Sequence, residues 1–182
     1  MKQKSSIPFS CRCGEVTGTL HRVDPAEGTH VVCHCNSCRS AMEKAGLGEE
    51  AQDGVDLFQT TPDHIEIATG MARLAPRRFS PKGLLRWHAT CCNTPMFNTL
   101  PGPAIPFAGV LVRNLEGTAA LGPVIAHGFV DKGNGKQGHE NGATVIWRVI
   151  KRAALARLTG KARSNPFFER DGQPTAQPQL FD

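Results

Sequence analysis

The chain has 182 residues, 40% of them hydrophobic, and a formal net charge of +5 at pH 7. This length predicts one domain large enough to bury a core, while the moderate positive charge favours anionic partners without choosing among them. The sequence has no signal-peptide pattern at its N-terminus and no apolar run approaching the ~18 residues of a membrane span, so we expect a cytoplasmic protein with no membrane partner.

The first predicted element is a β-hairpin that carries two cysteines in its turn. Short-strand patterns flank Cys11 and Cys13, with Phe9 before them and Val16 and Leu20 after them. Cysteines that lie two residues apart in a turn can point to one metal ion. The hairpin is therefore expected to supply two metal ligands.

A second cysteine motif lies between a strand and a helix. A buried strand is predicted at residues 30–32, and it leads into Cys33-His-Cys35-Asn-Ser-Cys38. One or two helical turns are predicted at residues 39–46. Further short strands, the last of which could also be a buried helix, are predicted at residues 57–58, 65–67, 84–87 and 107–112. Short strands divided by Pro, Gly, Asp and Ser turns predict a mainly β, largely antiparallel domain.

The C-terminal third contains a predicted loop, a helix and a tail. Residues 128–142 are rich in glycine and polar residues, which predicts a flexible loop. Apolar residues recur with helical period over residues 145–158, and Gly160 follows as a cap. We therefore expect a single domain over residues 7–160 and a loosely ordered tail over residues 161–182, with Phe167 and Phe168 as its anchors.

The predicted helix is amphipathic and basic. Its apolar positions include Ile146, Trp147, Ile150, Ala153, Ala154 and Leu158. Its basic positions are Arg148, Lys151, Arg152 and Arg157. The apolar face is expected to pack in the core or against a second copy of the chain, which would make a homodimer.

All seven cysteines fall into three clusters, which end with the pair Cys91 and Cys92. An odd number of clustered cysteines in a reducing compartment disfavours disulfides and favours a thiolate metal site, for which Zn²⁺ is the expected ion. Seven ligands divide into a closed group of four and an open group of three. We therefore expect two zinc sites, one structural and one that can exchange its metal.

The open group consists of the three cysteines at positions 33, 35 and 38. Their spacing equally fits a closed knuckle with a fourth ligand from elsewhere and an open site that binds substrate. His34 and His30 are candidate fourth ligands. His34 alternates in direction with its two cysteine neighbours, so it is also a candidate hydrogen-bonding neighbour.

Four passages together resemble the glutathione-dependent formaldehyde-activating enzyme family, which shares a β-tent fold with centromere protein V. They are Ser10-Cys-Arg-Cys-Gly-Glu-Val16, Val32-Cys-His-Cys-Asn-Ser-Cys-Arg39, Ile65-Glu-Ile-Ala-Thr-Gly70 and the stretch from Arg86-Trp87 to Cys92-Asn-Thr-Pro-Met96. The resemblance spans residues 9–97. It implies a β-tent, in which short antiparallel strands are built around zinc, followed here by the C-terminal amphipathic helix.

The resemblance also implies the ligand sets of both zinc sites. The C-x-C pair and a later pair would close the structural site, and Cys33, Cys35 and Cys38 would hold the zinc at which a substrate thiol acts. The sequence departs from the family pattern at the later pair, since Ala89 stands where a cysteine is usual. Cys91 is the favoured replacement because zinc prefers sulfur, and His88 is the alternative.

The activity implied by the resemblance is a zinc-dependent carbon–sulfur lyase step that joins glutathione, or a related small thiol, to a small aldehyde. With formaldehyde the product is S-hydroxymethylglutathione. Arg39 can hold a glutathione carboxylate bidentately or be an ordinary surface arginine. The alternative function is a non-catalytic, zinc-stabilised binding module that uses the basic helix for a partner or nucleic acid, although nucleic acid is the less favoured partner.

Overall fold

A computed structural model describes residues 5–133 and 135–181, which form a mainly β structure of two sheets and two α-helices. The strands are β1 (Ser5–Ser10), β2 (Thr17–Val23), β3 (Thr29–Cys33), β4 (Val55–Thr60), β5 (Ile65–Thr69), β6 (Leu74–Arg78), β7 (Leu85–Ala89), β8 (Thr94–Thr99), β9 (Ala108–Leu111), β10 (Ala126–Asp131), β11 (Gln137–Glu140) and β12 (Gln179–Leu180). The helices are α1 (Asn36–Lys44) and α2 (Gly142–Leu158). The prediction of a mainly β domain is confirmed.

The two sheets differ in size and meet around one core. The smaller sheet is antiparallel, in the order β1-β2-β5. The larger sheet has the order β11-β10-β3-β4-β9-β8-β7-β6-β12. Its pairs are antiparallel except β10 beside β3 and β12 beside β6. The predicted hairpin at the first cysteine pair is β1 and β2.

Alternation along the central strands gives the larger sheet two different faces. Phe58, Val110, Phe97 and Trp87 are in register across β4, β9, β8 and β7, and all four are buried. Side chains that pair directly across strands share a face, and the next residue along each strand points to the other side. One face therefore carries an aromatic and apolar row that packs against the smaller sheet.

The opposite face carries a second row, which contains polar side chains and is called the polar row below. Gln59, Gly109, Asn98 and Arg86 are in register across the same four strands. Beside this row lies a second apolar cluster, in which Val31, Leu57 and Leu111 pack with Cys38 and Met42 of α1. This face of the sheet therefore positions the helix that follows the second cysteine motif.

The C-terminal segment contributes to the main core. Phe167 is fully buried, and its ring lies 5.1 Å from Trp87 and 5.2 Å from Phe97. Phe168 lies at the edge of the same cluster. The division into a domain over residues 7–160 and a loosely ordered tail stays a prediction. Within the tail, Phe167 and Phe168 contact the core.

Phe167→Ala is expected to lower the free energy of unfolding by about 3–5 kcal/mol, because it removes a ring from a packed aromatic cluster. For a chain of this length that corresponds to a melting temperature lower by roughly 6–20 °C. Leu158→Ala is the matched control, since Leu158 is 85% exposed and should change the stability by less than about 0.5 kcal/mol. Equal melting temperatures for the two variants in thermal scans would contradict this packing.

Two predictions from the C-terminal third need correction. Residues 128–142 are not a loop throughout, because β10 and β11 form a hairpin there and β10 pairs with β3. The helix at residues 145–158 is confirmed as α2. Of the two alternatives for Ile146, Trp147 and Ile150, packing in the core is wrong, since each is more than half exposed, and contact with a second copy stays a prediction. The buried residues of α2 are Arg152, Ala153 and Ala156.

The orientation of α2 follows from what its cations contact. Arg152 donates to Thr29 Oγ1 at 2.7 Å, and Arg148 donates to the Pro25 carbonyl at 2.8 Å. These bonds hold the basic side of the helix against the protein and leave the apolar side in solvent. In the two described ranges, neither helix is long and apolar enough to span a membrane.

Candidate metal centres

Four cysteines from two turns meet where the two sheets join. Cys11 and Cys13 lie in the turn between β1 and β2, and Cys91 and Cys92 lie in the turn between β7 and β8. Asn93 closes the second turn in the left-handed conformation, with φ of 55°. The turn requires a positive φ at the position after the last cysteine. Asparagine adopts this conformation more readily than most residues, so Asn93 fits there.

The sulfur separations in this group fit a single thiolate-bound ion. Cys11 Sγ lies 3.6 Å from Cys13 Sγ and 3.9 Å from Cys91 Sγ, and all four sulfurs lie within 4.8 Å of one another. Cys91 Sγ lies 3.2 Å from Cys13 Sγ and 3.8 Å from Cys92 Sγ. Tetrahedral zinc with Zn–S bonds of about 2.3 Å would place its sulfurs about 3.8 Å apart. The group could therefore hold a metal ion after small adjustments.

Neighbouring donors support these sulfurs. The Val16 N–H donates to Cys11 Sγ at 3.3 Å, and Thr94 Oγ1 lies 3.0 Å from Cys92 Sγ. Despite the opposing effect of burial, the hydrogen bonds to Cys92, the Thr94 bond foremost, lower the pKa of its thiol to about 6. A lowered pKa favours the thiolate form that binds metal.

The three remaining cysteines lie where β3 passes into α1. Cys33 ends β3, Cys35 is the N-cap of α1, and Cys38 lies in its first turn. Cys33 Sγ is 3.3 Å from Cys35 Sγ, and all three sulfurs lie within 4.8 Å of one another. This group could also hold a metal ion, with three protein ligands. All seven cysteines are free thiols.

Local structure favours a thiolate at Cys35. The Cys38 N–H donates to Cys35 Sγ at 3.3 Å, as expected for an N-cap acceptor at the positive end of a helix. Hydrogen bonds from the thiols of Cys33 and Cys38 lower the pKa of Cys35, and the same interaction raises the pKa of Cys33. These contacts favour the thiolate form at Cys35 over that at Cys33.

A cavity of about 910 Å³ opens beside this three-cysteine group. Its floor is the polar row of the larger sheet, and the start of α2 forms one wall. The residues that line it are Val31, Val32, Cys33, Cys35, Ser37, Cys38, Leu57, Gln59, Leu84, Arg86, Asn98, Phe107, Gly109, Ala126, His127, Gly128, Phe129, His139, Glu140, Gly142, Ala143, Val145 and Ile146. All three cysteines thus line a space large enough for a small molecule.

A family model described as a family of unknown function, DUF6151, matches residues 3–179 of the chain. The chain belongs to the DUF6151 family. Among solved structures, it is similar to a Rhodobacter sphaeroides protein whose crystal structure was determined as a structural genomics target. The identity is 20% over 64% of this chain and 96% of that chain, with a TM-score of 0.45. No curated protein matches the chain.

Arg86 is a residue of this DUF6151 chain that sequence reasoning did not assign to the site. It is 6% exposed, and its guanidinium lies 3.7 Å from Cys38 Sγ. The same group donates to Ser37 Oγ at 2.7 Å and to Asn98 Oδ1 at 3.2 Å. The available signal was a charged residue inside a short strand with apolar neighbours, because arginine is rarely buried without a partner.

Arg39, which was expected to bind substrate, is not among the described residues that line the cavity. It follows Cys38 in α1, and its Nε atom is buried without a hydrogen-bond partner. The structure therefore brings Arg86, and not the sequence neighbour Arg39, to the cavity beside the sulfurs.

The histidines considered as fourth ligands have other contacts in the DUF6151 chain. His30 Nε2 lies 2.7 Å from Asp56 Oδ1, and His30 Nδ1 lies 2.8 Å from the Gly122 carbonyl. His34 Nε2 lies 3.1 Å from His127 Nδ1, and the two rings are stacked. Burial, followed by the effect of His127, lowers the pKa of His34. Neither histidine belongs to the group of three sulfurs among the described residues.

The geometry at the four-cysteine group distinguishes Cys91 from His88. Cys91 lies within the group, whereas His88 is outside it among the described residues. His88 is buried in β7 with an unpartnered Nδ1, and burial, together with Arg77, lowers its pKa to about 4. In the register with β6, His88 and Arg86 lie on the same side of β7.

We therefore predict that Cys91→Ser loses the metal of the four-cysteine group and that His88→Ala keeps it. The reason is that serine removes a sulfur already in place, while alanine removes a side chain outside the group. Metal content per folded chain, measured by atomic emission after gel filtration, checks this. The reverse result, with metal lost only from His88→Ala, would make His88 the ligand.

Proposed function

We propose that the protein is a zinc-dependent carbon–sulfur lyase of the formaldehyde-activating type, which reversibly joins a thiol to an aldehyde. The observation that carries the proposal is that three cysteines line a cavity of about 910 Å³ and hold their sulfurs close enough to bind one metal, which would leave one position for a ligand. The closed four-cysteine group at the sheet junction has the separate role of a structural zinc site.

The resemblance of the cysteine motifs supports this reading, and the β-tent assignment is part of the same proposal. The smaller sheet contributes one cysteine pair through its β1–β2 turn, and the larger sheet contributes the other pair through its β7–β8 turn. Two sheets with mainly antiparallel strands, joined through one group of cysteines, are consistent with such a zinc-built fold.

The reaction balances without an oxidant or a reductant. The thiol sulfur bonds to the carbonyl carbon, the C=O π bond breaks, and the thiol proton ends on the former carbonyl oxygen. The product is a hemithioacetal, which is S-hydroxymethylglutathione when the reactants are glutathione and formaldehyde. Zinc at Cys33, Cys35 and Cys38 would lower the pKa of the incoming thiol and favour its nucleophilic thiolate.

The chain's own contribution is charge compensation and orientation. Three thiolates concentrate negative charge at a partly buried position, and Arg86 supplies the opposite charge through its contacts with Cys38. Ser37 and Asn98 accept from the same guanidinium and hold it in place. Arg86 thus acts through the metal ligands as a positioning residue.

The alternative of a nucleic-acid-binding module receives less support from α2. Three of its four basic side chains contact the protein, since Arg148, Arg152 and Arg157 donate to Pro25, Thr29 and Ala104. The solvent face instead presents apolar residues such as Ile146 and Trp147, which are 62% and 65% exposed. An apolar face does not provide the phosphate contacts on which nucleic-acid affinity mainly depends.

Metal counting with and without a thiol tests the proposal. The wild type is expected to carry two zinc ions and Cys35→Ser one, because only the three-cysteine group is damaged. Ser40→Ala, on the same helix, is the matched control and should keep both ions. Adduct formation between formaldehyde and a thiol, followed by NMR, should be accelerated by the wild type and by Ser40→Ala but not by Cys35→Ser.

A wild type that carries a single ion, which Cys35→Ser retains and added thiols do not affect, would contradict the proposal. So would two ions in the wild type with no acceleration of adduct formation for any thiol tested. Either result would mean that the three-cysteine group has a structural role and not a catalytic one.

A further inference from the structure

We propose that the cavity beside the three-cysteine group selects an apolar thiol that carries one hydroxyl or amide donor, in preference to glutathione. The inference deepens the proposed function and rests on it in one respect, namely that the thiol enters the three-cysteine site. The preference for an apolar body with a single donor rests on the cavity itself.

The first observation is an unsatisfied acceptor on the cavity floor. Gln59 Oε1 is buried and has no hydrogen-bond partner, whereas Asn98 Oδ1 in the same row accepts from Arg86. A buried carbonyl oxygen without a donor is costly, so such atoms are normally paired. A hydroxyl or amide N–H of a ligand would supply the missing donor.

The second observation is that two glycines keep the cavity open. A Cβ built on Gly109 would come no closer than 3.8 Å to its nearest neighbour, Asn98, and next approaches Phe107, which also lines the cavity. A Cβ on Gly128 would lie 3.7 Å from His139. These are ordinary van der Waals distances. Glycine is therefore not forced by crowding at either position, and its effect is to leave volume for a ligand.

The third observation is the apolar character of the walls. Apolar side chains from β3, β4, α2 and the connecting segments surround the polar floor, namely Val31, Leu57, Leu84, Phe107, Val145 and Ile146. Small-molecule sites of roughly 300–1,000 Å³ with apolar walls and few polar groups bind ligands mainly through their apolar surface. Formaldehyde and the thiol group alone would leave most of this space unfilled.

The charges of the cavity disfavour glutathione. Glutathione carries two carboxylates, yet Arg86 is the one lysine or arginine among the described residues that line the space, and its guanidinium already contacts Ser37, Asn98 and Cys38. Glu140 at the lining is a carboxylate that lies 3.5 Å from Lys132 Nζ, so it supplies no cation for a ligand. Burying a carboxylate without a cation is unfavourable, so a neutral ligand is expected to bind better.

A set of four thiols tests the inference by calorimetric titration of the metal-loaded full chain. The set consists of 2-mercaptoethanol, glutathione, 6-mercapto-1-hexanol and 1-hexanethiol. We expect 6-mercapto-1-hexanol to bind about 10- to 100-fold more tightly than 2-mercaptoethanol, since four added methylenes are transferred to apolar surroundings. It should also bind about 3- to 10-fold more tightly than 1-hexanethiol, which lacks the donor for Gln59.

Two variants test whether the preference for 6-mercapto-1-hexanol comes from the cavity. Gly109→Leu should remove most of the advantage of 6-mercapto-1-hexanol and leave 2-mercaptoethanol unchanged. Gln59→Leu is the second variant in case leucine at position 109 impairs folding, and it should abolish the difference between 6-mercapto-1-hexanol and 1-hexanethiol. Ala154→Leu, at an exposed position of α2, is the matched control and should bind all four thiols like the wild type.

Failure of the inference can be told apart from failure of the proposed function. If 2-mercaptoethanol and glutathione bind as well as 6-mercapto-1-hexanol, the inference is wrong and the thiol site stands. If no thiol binds, the proposed function fails, and the cavity is tested by saturation-transfer NMR with 1-hexanol, which has no thiol. Binding of 1-hexanol that Gly109→Leu or Gln59→Leu weakens would support the apolar cavity, and no binding to the wild type would overturn it.

Discussion

Cys11→Ser is expected to remove one metal ion per chain and to lower the melting temperature by at least about 10 °C. The four-cysteine group joins segments about 80 residues apart in sequence, as Cys11 and Cys91 show. A metal that closes so long a loop restricts the unfolded chain strongly, and its binding free energy becomes folding free energy. A loss of roughly 5 kcal/mol or more follows, at about 2–4 °C per kcal/mol for this length.

A cysteine-to-serine substitution in the three-cysteine group is the matched control for this prediction. Cys35→Ser should also cost one metal ion, but its group lies within six residues and joins only β3 and α1. Closing so short a loop contributes less to stability, so the melting temperature should fall by less than half as much. Differential scanning calorimetry with parallel metal analysis compares the two. Equal losses of stability would show that the four-cysteine group does not hold the sheets together.

Arg86→Gln is expected to weaken metal binding at the three-cysteine group by about 10- to 100-fold, the range typical of residues that support metal ligands. Glutamine keeps a polar group near Ser37 and Asn98 but removes the positive charge beside Cys38. The remaining thiolates then lose their buried counter-charge, which raises the cost of holding them ionised. Competition with a chromogenic chelator gives the affinity directly.

Arg39→Gln is the matched control, because Arg39 adjoins Cys38 in sequence but does not line the cavity among the described residues. Its metal affinity should stay within about 2-fold of the wild type, as for a side chain that contacts no metal ligand. If Arg39→Gln were the weaker binder, the sequence neighbour would be the supporting residue and the contacts of Arg86 would not matter for the metal. Thermal scans of both variants separate lost affinity from lost folding.

The parts of the fold that depend on local signals were predictable from the sequence. The hairpin around Cys11 and Cys13, the strand that leads into the motif at residues 33–38, and the helix that became α2 all appear in the structure. Alternation, turn residues and helical period act over a few residues, so they can be read without knowing the rest of the chain. Each of the three cysteine clusters along the sequence is a local pattern for the same reason.

The hairpin at β10 and β11 shows where local reasoning failed. Its glycines and polar residues favour a loop, but β10 gains a partner in β3, where Gly128 pairs with Cys33. Strand formation depends strongly on such neighbours, which lie far away in sequence. The face of α2 was misjudged for a related reason, because the contacts of Arg148 and Arg152 with the β2–β3 connection and Thr29 decide which side is buried.

The sequence by itself determined the mainly β class and the three cysteine clusters, because strand alternation and cysteine spacing are properties of short segments. Only the tertiary structure decided that Cys91 and not His88 joins Cys11, that Arg86 lies beside Cys38, and that Gln59 faces a cavity. Each of these depends on the register of strands distant in sequence. Register determines which side chains share a face, and no local pattern specifies which distant strand will be the partner.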